Sequence, residues 1–361
     1  MKMKKKIGVI FGGKSPEHEV SIESARTVCA KLVSAGFDAV PLYVPREGAW
    51  RQLPLKSFVG KASLDGLEVE PVVSRGRFER KSGGWLKPDV LFPIIHGSTG
   101  EDGVLQGLLE LLGIPYVGCG VTASAVGMDK VISKELAALD GVPVLPHVVI
   151  RAHQRAAMAP LLKKACGLGF PLFVKPVAQG SSVGVTKVKN AAALKPAVED
   201  AFRFDTAVMI EKGVDRAREI VCGVLGSPAG AGASVCGEVV PKGKHEFYDY
   251  EAKYLDNDGM ELRLPAPLPA ATAEKLRGMA VKVFLALGGS GLARVDFFVD
   301  PKDARKAYFC EINTLPGFTS HSLYPRLWAE TGKKPETVLK ELVAIAERAM
   351  AARRRLNIER K

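Results

Sequence analysis

The sequence predicts an α/β protein whose N-terminal domain is a doubly wound parallel sheet. Apolar runs of strand length at 7–11, 40–44 and 90–95 alternate with segments in which apolar residues recur at helical spacing. Such alternation is typical of parallel sheets that carry helices on both faces. A chain of 361 residues is also longer than one compact core usually organises, so we expect two or three domains.

Two helices separate the strands of the first domain. Apolar residues recur at helical spacing over 25–32, and a second helix is predicted over 104–112, closed by Gly113. The polar stretch 45–88, which is rich in Arg and Gly, predicts a surface insertion between two strands. We therefore place the first domain at residues 1–119.

The rest of the chain continues with helix and strand patterns. A turn rich in Gly and Ser joins predicted strands at 170–174 and 183–188. The other predicted elements are helices at 128–140, 272–287 and 335–352 and strands at 208–211, 219–225, 233–240, 292–299 and 306–312. The pattern indicates a central domain over 120–217 and a C-terminal domain over 218–361.

Composition excludes several classes of protein. The chain is 47% hydrophobic and 25% charged, which is ordinary for a globular protein and excludes wholesale disorder, collagen and a coiled coil. No run approaches the ~18 apolar residues of a membrane helix, and the apolar run 7–11 is shorter than the core of a signal peptide. The six cysteines include no C-x-x-C pair, which fits reduced thiols rather than zinc ligands. We expect a cytoplasmic protein with no membrane partner.

The net charge of +12 fits either a nucleic-acid partner or a polyanionic small molecule such as ATP. Lysine and arginine together number 51, against 39 acidic residues. Much of the excess lies within 2–6 and 353–361, and terminal clusters are more often solvated tails than binding faces. We therefore expect no nucleic-acid partner.

Two glycine-rich patterns imitate nucleotide-binding motifs. Residues 8–15 match the Walker A pattern, but the apolar residues 9–11 lie inside the motif, where a P-loop requires a loop rather than a strand. Residues 118–123 resemble a dinucleotide fingerprint. We interpret them instead as a glycine-rich hinge ahead of a helix.

Charged residues at strand ends suggest a nucleotide site. Lys175 ends a predicted strand beside the small-residue turn 179–184, where its ammonium group and backbone N–H groups could hold phosphates. The next strand ends in Glu211 and Lys212, and Glu219 opens the one after it. A backbone edge there could recognise adenine, and a carboxylate could bind ribose. Taken singly, these features also fit a flexible surface turn and ordinary charged strand ends.

Three oxygen-bearing side chains lie on two neighbouring predicted strands. Strand alternation points Asp296 to the same face as Arg294, and Glu311 to the same face as Asn313. Two carboxylates and an amide among apolar residues suit Mg²⁺ ions that bridge ATP phosphates. The alternative is a structural ion pair between Arg294 and Glu311, which would leave Asn313 unexplained. The polar loop 313–322 that follows could hold a carboxylate and an oxyanion.

These segments resemble the D-alanine–D-alanine ligase family, which belongs to the ATP-grasp superfamily. The matching blocks occur in order from residue 8 to about 328 and so cover nearly the whole chain. They are GGKSPEHEVS at 12–21, HGSTGEDG at 96–103, MDK at 128–130, KP at 175–176, GSSVG at 180–184, EK at 211–212, FYDYEAKY at 247–254, ARVD at 293–296 and EINTLPGFTSHS at 311–322. Each block alone is a weak signal, but together they are specific.

The resemblance implies a three-domain ATP-grasp fold and a particular reaction. Members of the family use ATP to phosphorylate the carboxylate of one D-alanine, and the amine of a second D-alanine attacks the acyl phosphate to give D-alanyl-D-alanine for peptidoglycan synthesis. Related ligases that join D-alanine to D-serine or D-lactate are the alternative. The implied cofactors are ATP and two Mg²⁺ ions, for which Mn²⁺ can substitute, with K⁺ as a further candidate. The implied partners are small molecules and a second copy of the chain in a homodimer.

The resemblance also assigns roles to individual residues. It implies that ATP is bound by Lys130, Lys175, Glu211, Lys212, Glu219 and Phe247. It implies that the metal ions are bound by Asp296, Glu311 and Asn313. It implies catalytic roles for Glu17, Ser181, Tyr254, Arg294 and Gly317, and contacts to the D-alanines from His96, Lys253, Ser320 and Ser322.

Two of these residues have a simpler interpretation outside the family. Glu17 would be an acid favoured by the dipole in the first turn of a helix, and His96 would be a loop histidine. The segment 245–259 resembles the family's mobile loop, whose closure excludes water from the acyl phosphate. Tyr254 of that segment, linked through Ser181 toward the first substrate in family members, favours an amine as the second substrate.

Overall fold

The computed structural model describes residues 3–242 and 260–356, and the strands of these residues form three sheets. The first sheet contains β1 (Lys6–Gly12), β2 (Asp38–Val44), β3 (Trp50–Gln52), β4 (Leu67–Val72), β5 (Arg77–Arg80), β6 (Trp85–Leu86) and β7 (Val90–Pro93). The second contains β8 (His147–Arg151), β9 (Leu172–Pro176), β10 (Thr186–Val188) and β11 (Ala207–Lys212). The third contains β12 (Arg218–Ser227), β13 (Gly230–Pro241), β14 (Met260–Arg263), β15 (Gly291–Val299) and β16 (Ala307–Asn313).

Helices connect and cover these sheets. They are α1 (His18–Ser34), α2 (Leu55–Val59), α3 (Val104–Leu112), α4 (Val121–Met128), α5 (Lys130–Leu139), α6 (Ala159–Cys166), α7 (Leu194–Ala201), α8 (Ala270–Ala286), α9 (Leu323–Glu330) and α10 (Pro335–Arg353). Short 3₁₀ helices occur at Val73–Arg75, Ala152–Ala157 and Ala191–Ala193.

The first sheet contains the doubly wound unit that the sequence predicts. Its strand order is β6-β5-β4-β3-β2-β1-β7, and β1 pairs in parallel with both β2 and β7. Helix α1 packs on one face, where Val9 and Phe11 are buried, and α3 packs on the other face, beside Ile10 and Leu42. Because both faces are covered, β1 is buried along nearly its whole length. The α/β prediction is confirmed.

The stretch 45–88 is part of this sheet rather than a surface insertion. It contains β3 to β6, which extend the sheet from β2 by antiparallel pairing. Strands β4, β5 and β6 each bury a single side chain, Val69, Phe78 and Leu86 respectively. One buried residue per strand leaves a weak hydrophobic pattern, and for this reason the expectation of an insertion was wrong.

The Walker-like residues 8–15 begin inside a strand, as their apolar content indicates. Strand β1 contains the first five of them, and their backbone pairs with β2 and β7. At the end of the strand the Gly12 N–H donates to Ser21 Oγ at 2.8 Å, and the Gly13 N–H donates to the Val44 carbonyl at 2.7 Å. These backbone groups are committed to the fold, so the interpretation as a strand is confirmed.

The second sheet, β10-β9-β11-β8, is antiparallel. Helices α6 and α7 cover one face, where Val174 and Ile210 are buried. Strand alternation directs the neighbouring Lys175 and Glu211 to the opposite face. On that face Met209 packs against the first turn of α5, so these two charged residues point toward α5.

The third sheet, β14-β13-β12-β15-β16, is also antiparallel. Helix α8 packs on it, and α4 and α5 join the same core through Ala123 and Ala137 although they precede the second sheet in sequence. Helix α9 packs on strands β12 and β13 through Leu323 and Leu327. Because α5 contacts the second sheet and also belongs to the core of the third, its side chains can reach both.

Each sheet lies within one of the predicted domains, 1–119, 120–217 and 218–361. Helices α4 and α5 pack on the third sheet, and α10 packs on the first, so the boundaries themselves stay a prediction. Within 3–242 and 260–356, no helix combines the length and apolar character needed to span a bilayer. The six cysteines, all in the described part of the chain, are free thiols.

Candidate active site

Two cavities adjoin between the sheets. The larger, of about 820 Å³, lies between the second and third sheets. The smaller, of about 110 Å³, lies where these sheets meet loops of the first domain. Both are lined by Lys130, Gln179 and Glu311. A cavity in the size range of organic ligands and a cavity for a much smaller molecule therefore share one wall.

The larger cavity collects residues predicted to bind ATP and metal. Its lining includes Lys130, Lys175, Glu211, Lys212, Glu219, Asp296 and Glu311. They come from the second sheet, the third sheet and the start of α5. Cationic and anionic side chains thus converge on one space although they are spread over most of the C-terminal two-thirds of the chain.

The smaller cavity brings together predicted residues from all three parts of the chain. Glu17 comes from the first domain, Ser181 from the turn after β9, and Arg294 and Asn313 from β15 and β16. The carboxylate of Glu17 and the cations Arg294 and Lys130 line the same small space. Opposite charges in one lining suit a zwitterion such as an amino acid.

Lys130 is held at the shared wall by the start of α5. Asp129 caps this helix, since its Oδ1 accepts two backbone N–H groups of the first turn, both at 2.9 Å. The Lys130 ammonium donates to the Gln179 carbonyl at 2.5 Å and lies 3.5 Å from Glu311 Oε2. Lys130 is only 8% exposed, so a phosphate at this wall would meet a largely desolvated positive charge.

Glu211 lies buried between two lysines. Its Oε2 accepts a hydrogen bond from Lys175 Nζ at 2.7 Å, and its Oε1 lies 2.8 Å from Lys134 Nζ. Burial alone would raise the pKa of Glu211, but Lys134 and Lys175 lower it to about 2. Burial alone would lower the pKa of Lys175, but the Glu211 carboxylate raises it above its ordinary value. Glu211 is therefore ionised, and Lys175 protonated, at neutral pH.

Lys134 was missed by the sequence analysis. Its side chain is fully buried, and its ammonium group also donates to the Phe309 carbonyl at 2.8 Å. The available signal was its spacing from Lys130, because residues i and i+4 lie on one face of a helix. The resemblance assigns adenine to Glu211 together with the backbone that follows it. The carboxylate of Glu211 contacts two ammonium groups, and the role of the backbone stays a prediction.

Lys212 and Glu219 line the larger cavity at opposite ends of the connection between β11 and β12. The Lys212 ammonium donates to the carbonyls of Gly169 and Phe170 at 2.9 and 3.1 Å. Its backbone N–H donates to the Pro146 carbonyl at 2.9 Å. Lys212 thus fixes the turn before β9, which forms part of the cavity wall, and Glu219 is half-buried near the start of β12.

Asp296, Glu311 and Asn313 lie together on paired strands. Strands β15 and β16 place Asp296 opposite Glu311 and Arg294 opposite Asn313. Arg294 donates through Nε and Nη2 to the two carboxylate oxygens of Asp296, both at 2.7 Å. Arg294 therefore has a structural ion-pair partner on its own strand.

These three side chains fit a divalent cation by their donor chemistry. Mg²⁺ in nucleotide sites commonly takes one or two carboxylates and completes its coordination with phosphates and water. Among the described residues, no three His, Cys, Asp or Glu side chains are arranged as a metal site. Asp296 and Glu311 would therefore depend on the Asn313 amide and on nucleotide phosphates for the remaining ligands.

Glu17 lies at the N-cap of α1, and its side chain lines the smaller cavity. Its backbone N–H donates to Ser15 Oγ at 3.0 Å. Gly97 permits this arrangement, because it has a φ of 75° and a Cβ there would lie 3.0 Å from both Glu17 Oε2 and Ser15 Oγ. A side chain at position 97 would press on the Glu17 carboxylate.

His96 is buried beside the smaller cavity in contact with Glu101. Its Nδ1 lies 3.1 Å from the Leu315 carbonyl and 3.4 Å from Glu101 Oε1, and its Nε2 lies 3.2 Å from Ser24 Oγ. Burial would lower the pKa of His96, but Glu101 raises it above its ordinary value. Burial raises the pKa of Glu101. Glu101 lines the smaller cavity and was missed, although it belongs to the same sequence block as His96.

Two consecutive serines in the turn after β9 have a left-handed backbone. The φ angles of Ser181 and Ser182 are 54° and 58°. This conformation costs a residue with a side chain about 1–3 kcal/mol and is concentrated at functional sites. Ser181 lines the smaller cavity and Ser182 the larger. The strained turn therefore presents one serine to each cavity.

The loop after β16 places Gly317, Ser320 and Ser322 outside the described lining of the two cavities. Ser322 Oγ accepts the Thr319 N–H at 2.9 Å and lies 2.8 Å from Thr319 Oγ1. A Cβ on Gly317 would lie 2.9 Å from Ser322 Oγ, so this loop is closely folded on itself. Ser320 is exposed.

Two family models together match most of the chain. The model for the D-ala D-ala ligase N-terminus matches residues 6–119, and the model for the D-ala D-ala ligase C-terminus matches residues 136–344. The chain belongs to the D-alanine–D-alanine ligase family. The resemblance drawn from the motifs is confirmed, and with it the ATP-grasp fold.

Individual ligases match over nearly the full chain. The D-alanine–D-alanine ligase A of Bradyrhizobium diazoefficiens is 44% identical over 358 residues and covers 94% of each chain. The solved D-alanine–D-alanine ligase from Coxiella burnetii has a TM-score of 0.84 at 30% identity and covers 97% of both chains. The VanG D-Ala:D-Ser ligase from Enterococcus faecalis has a TM-score of 0.84 at 35% identity, covering 95% of this chain and 100% of that chain.

Three residues that the ligase family assigns to the site lie outside the described residues. They are Phe247, Lys253 and Tyr254, in the segment 245–259 that resembles the family's mobile loop. Their roles stay predictions.

Proposed function

We propose that this ligase joins two D-alanines into D-alanyl-D-alanine, a peptidoglycan precursor, while ATP is converted to ADP and phosphate. The observation that carries the proposal is the wall of Lys130, Gln179 and Glu311 that the two cavities share. The larger cavity suits a nucleotide and the smaller suits an amino acid. A terminal phosphate and a substrate carboxylate can therefore meet at this wall.

In the first step a carboxylate oxygen of the first D-alanine attacks the γ-phosphorus of ATP. The bond between that phosphorus and the ADP oxygen breaks, and an acyl phosphate forms. Phosphoryl transfer between anions depends mainly on positioning and charge neutralisation. We assign this work to Lys130 and Lys175, which line the larger cavity as buried cations. Lys212, Glu219, Phe247 and the backbone at and after Glu211 are the other proposed nucleotide groups.

The Glu17 carboxylate would hold the ammonium group of the first D-alanine in the smaller cavity. Ser181 lines the same cavity, and together with Tyr254 it would provide further polar contacts on the side of the first D-alanine. His96 would lie beside the first D-alanine, with its buried ring positioned by the Leu315 carbonyl and Ser24 Oγ.

In the second step the amine of the second D-alanine attacks the acyl carbon, and the tetrahedral intermediate expels phosphate. Arg294 and the Gly317 backbone N–H would stabilise its oxyanion. Ser322, with Lys253 and Ser320, would receive the carboxylate of the second D-alanine.

We propose that Asp296, Glu311 and Asn313 hold two Mg²⁺ ions, with Mn²⁺ able to substitute and K⁺ as a further candidate ion. Bound divalent ions would neutralise phosphate charge as it shifts during transfer. The residues' own contribution is to supply hard oxygen donors next to Lys130, whose ammonium group lies 3.5 Å from Glu311 Oε2.

We further propose a cytoplasmic homodimer. The cytoplasm supplies the ATP that the reaction consumes. Helix α3 leaves Val104 and Leu111 exposed at 63% and 67%, and Val121 of α4 is exposed as well. A second copy of the chain could cover this apolar surface.

The function is tested by incubating the protein with ATP, Mg²⁺ and D-alanine, then measuring phosphate and identifying the product by mass. We expect D-alanyl-D-alanine from D-alanine alone, in equal amount to the phosphate released. D-serine or D-lactate added at equal concentration should give little mixed product. ATP binding without dipeptide formation would contradict the substrate assignment, and preferred formation of D-alanyl-D-serine would move the protein to the class of the VanG ligase.

A further inference from the structure

Lys134 has no part in the reaction as proposed. It is nevertheless a fully buried charged residue next to Glu211, which lines the larger cavity. Its ammonium group contacts Glu211 and the Phe309 carbonyl. It is absent from the described lining of the larger cavity, whereas Glu211 and Lys175 belong to that lining. The three charged groups therefore form a row that runs from the interior, through Glu211, to the cavity.

We propose that Lys134 is a positioning residue that stays paired with Glu211, so that Lys175 can leave this carboxylate and bind the nucleotide phosphates. The proposal rests on the ATP-dependent function proposed above. Lys134 does not touch ATP in this scheme. It lowers the free energy that Lys175 needs to leave Glu211 and bind ATP.

The two oxygens of Glu211 are divided between the two lysines. Oε2 lies 2.7 Å from Lys175 Nζ, and Oε1 lies 2.8 Å from Lys134 Nζ. On the cavity side Lys175 also makes a cation–π contact, with its Nζ 5.4 Å from the centre of the Phe298 ring. The Lys175 ammonium group therefore lies next to the larger cavity and has a short distance to move to reach a phosphate there.

Charge balance explains why a second lysine matters. With only Lys175 present, departure of that ammonium would leave a buried carboxylate unpaired, which is strongly unfavourable. With Lys134 present, the carboxylate keeps one cationic partner at all times. The three groups together also carry one excess positive charge, which is available to a phosphate.

Lys134 is well placed to act as the fixed member of the group. It lies one turn after Lys130 on α5, and its hydrogen bond to the Phe309 carbonyl ties it to β16 two residues before Glu311. The ammonium also lies 5.5 Å from the centre of the Phe309 ring. These contacts hold Lys134 in place while Lys175 changes partner.

The test compares Lys134→Met with the double variant Lys134→Met/Glu211→Gln. ATP binding is measured by calorimetry without D-alanine, and the KM values for ATP and for D-alanine are measured with it. We expect Lys134→Met to weaken ATP binding at least about tenfold, the factor that one hydrogen bond between charged groups contributes, because Lys175 is then retained by Glu211. The KM for D-alanine should change less than about twofold. Lys282→Met, on the exposed face of α8, is the matched control.

The double variant decides between positioning and mere structural support. Removing the Glu211 charge as well should release Lys175 and recover most of the lost ATP affinity. If Lys134→Met fails to fold while the double variant folds, Lys134 only compensates the buried charge of Glu211, and the proposal is overturned. The proposal is overturned if Lys134→Met binds ATP as the wild type does, if the double variant is no better than the single, or if both fail to fold.

These outcomes are separable from failure of the proposed function. If the wild type binds ATP but makes no dipeptide, the substrate assignment fails while the binding comparison can still support the role of Lys134. If the wild type makes dipeptide and the variants bind ATP equally well, only the inference about Lys134 fails.

Discussion

The two cavities of the site are built by different means. Around the larger cavity the functional groups are fixed by charge pairing, as in the row Lys134, Glu211 and Lys175. Around the smaller cavity they are fixed by backbone shape, through the close approach of Gly97 to Glu17 and the left-handed turn at Ser181. Nucleotide binding should therefore respond mainly to changes of charge, and amino-acid binding mainly to changes of shape.

The largest effect is expected where the two cavities meet. Glu311→Gln removes a carboxylate from the shared wall and from the proposed metal ligands, and should lower kcat about a thousandfold, since a metal-supported transition state is worth several kcal/mol. Steady-state dipeptide formation measures this, and the melting temperature should stay near that of the wild type. Turnover within tenfold of the wild type would remove Glu311 from the mechanism.

A charge change confined to the larger cavity should affect ATP alone. Lys175→Ala leaves Glu211 paired with Lys134 and removes a cation from the cavity, so the KM for ATP should rise about 100-fold while that for D-alanine stays within about twofold. Lys163→Ala on the exposed face of α6 is the control. An equal rise in both KM values would show that the two cavities are not separable in this way.

A shape change confined to the smaller cavity should affect D-alanine alone. Gly97→Ala places a methyl group 3.0 Å from Glu17 Oε2, and the KM for D-alanine should rise about tenfold because small displacements of a substrate-holding group are costly. Gly36→Ala is the matched control, because Gly36 also has a positive φ, of 95°, but no atom within 4 Å of its added Cβ. Both variants should lose about 1–2 kcal/mol of stability.

The outcome that would contradict this prediction is specific. If Gly36→Ala and Gly97→Ala change the KM for D-alanine equally, the effect comes from backbone strain in general. The contact between Gly97 and Glu17 would then have no particular role in binding.

The smallest effect is on stability in acid. The pKa of Glu211 is lowered to about 2 from an ordinary value of 4.5. A lowered folded-state pKa contributes stability above the unfolded-state pKa, and this contribution is lost as pH falls from about 4.5 toward 2. Melting temperatures measured across this range should therefore fall more steeply for the wild type than for Glu211→Gln. Parallel curves would mean that Glu211 is not held ionised by the two lysines.

The sequence predicted which charged residues form the site better than it predicted which of them pair with each other. Residue type and strand ends were enough to select Lys175, Glu211, Asp296 and Glu311, because charged groups among apolar strand residues are conspicuous. The partner of each charge was not predictable, since Lys134 approaches Glu211 only after α5 packs between two sheets. That packing joins residues far apart in the chain, and no local pattern encodes it.

The elements of the fold also differ in how well the sequence predicted them. Strand β1 and helix α3 were predicted close to their observed bounds. Burial of β1 on both faces leaves a continuous apolar run, and the apolar residues of α3 end at Gly113. Strands β3 to β6 were missed because they bury few side chains. Glu101 was missed for a related reason, because its burial next to His96 depends on the fold of a glycine-rich loop.

The central claim is that a substrate carboxylate in the smaller cavity receives the phosphoryl group of ATP at the shared wall. It is tested most directly with D-alanine labelled with ¹⁸O in the carboxylate, by measuring the label in the phosphate released. The mechanism requires the carboxylate oxygen that attacked the γ-phosphorus to leave with the phosphate, so each phosphate should carry one ¹⁸O atom. Unlabelled phosphate released together with dipeptide would contradict the acyl phosphate and the role given to the wall between the two cavities.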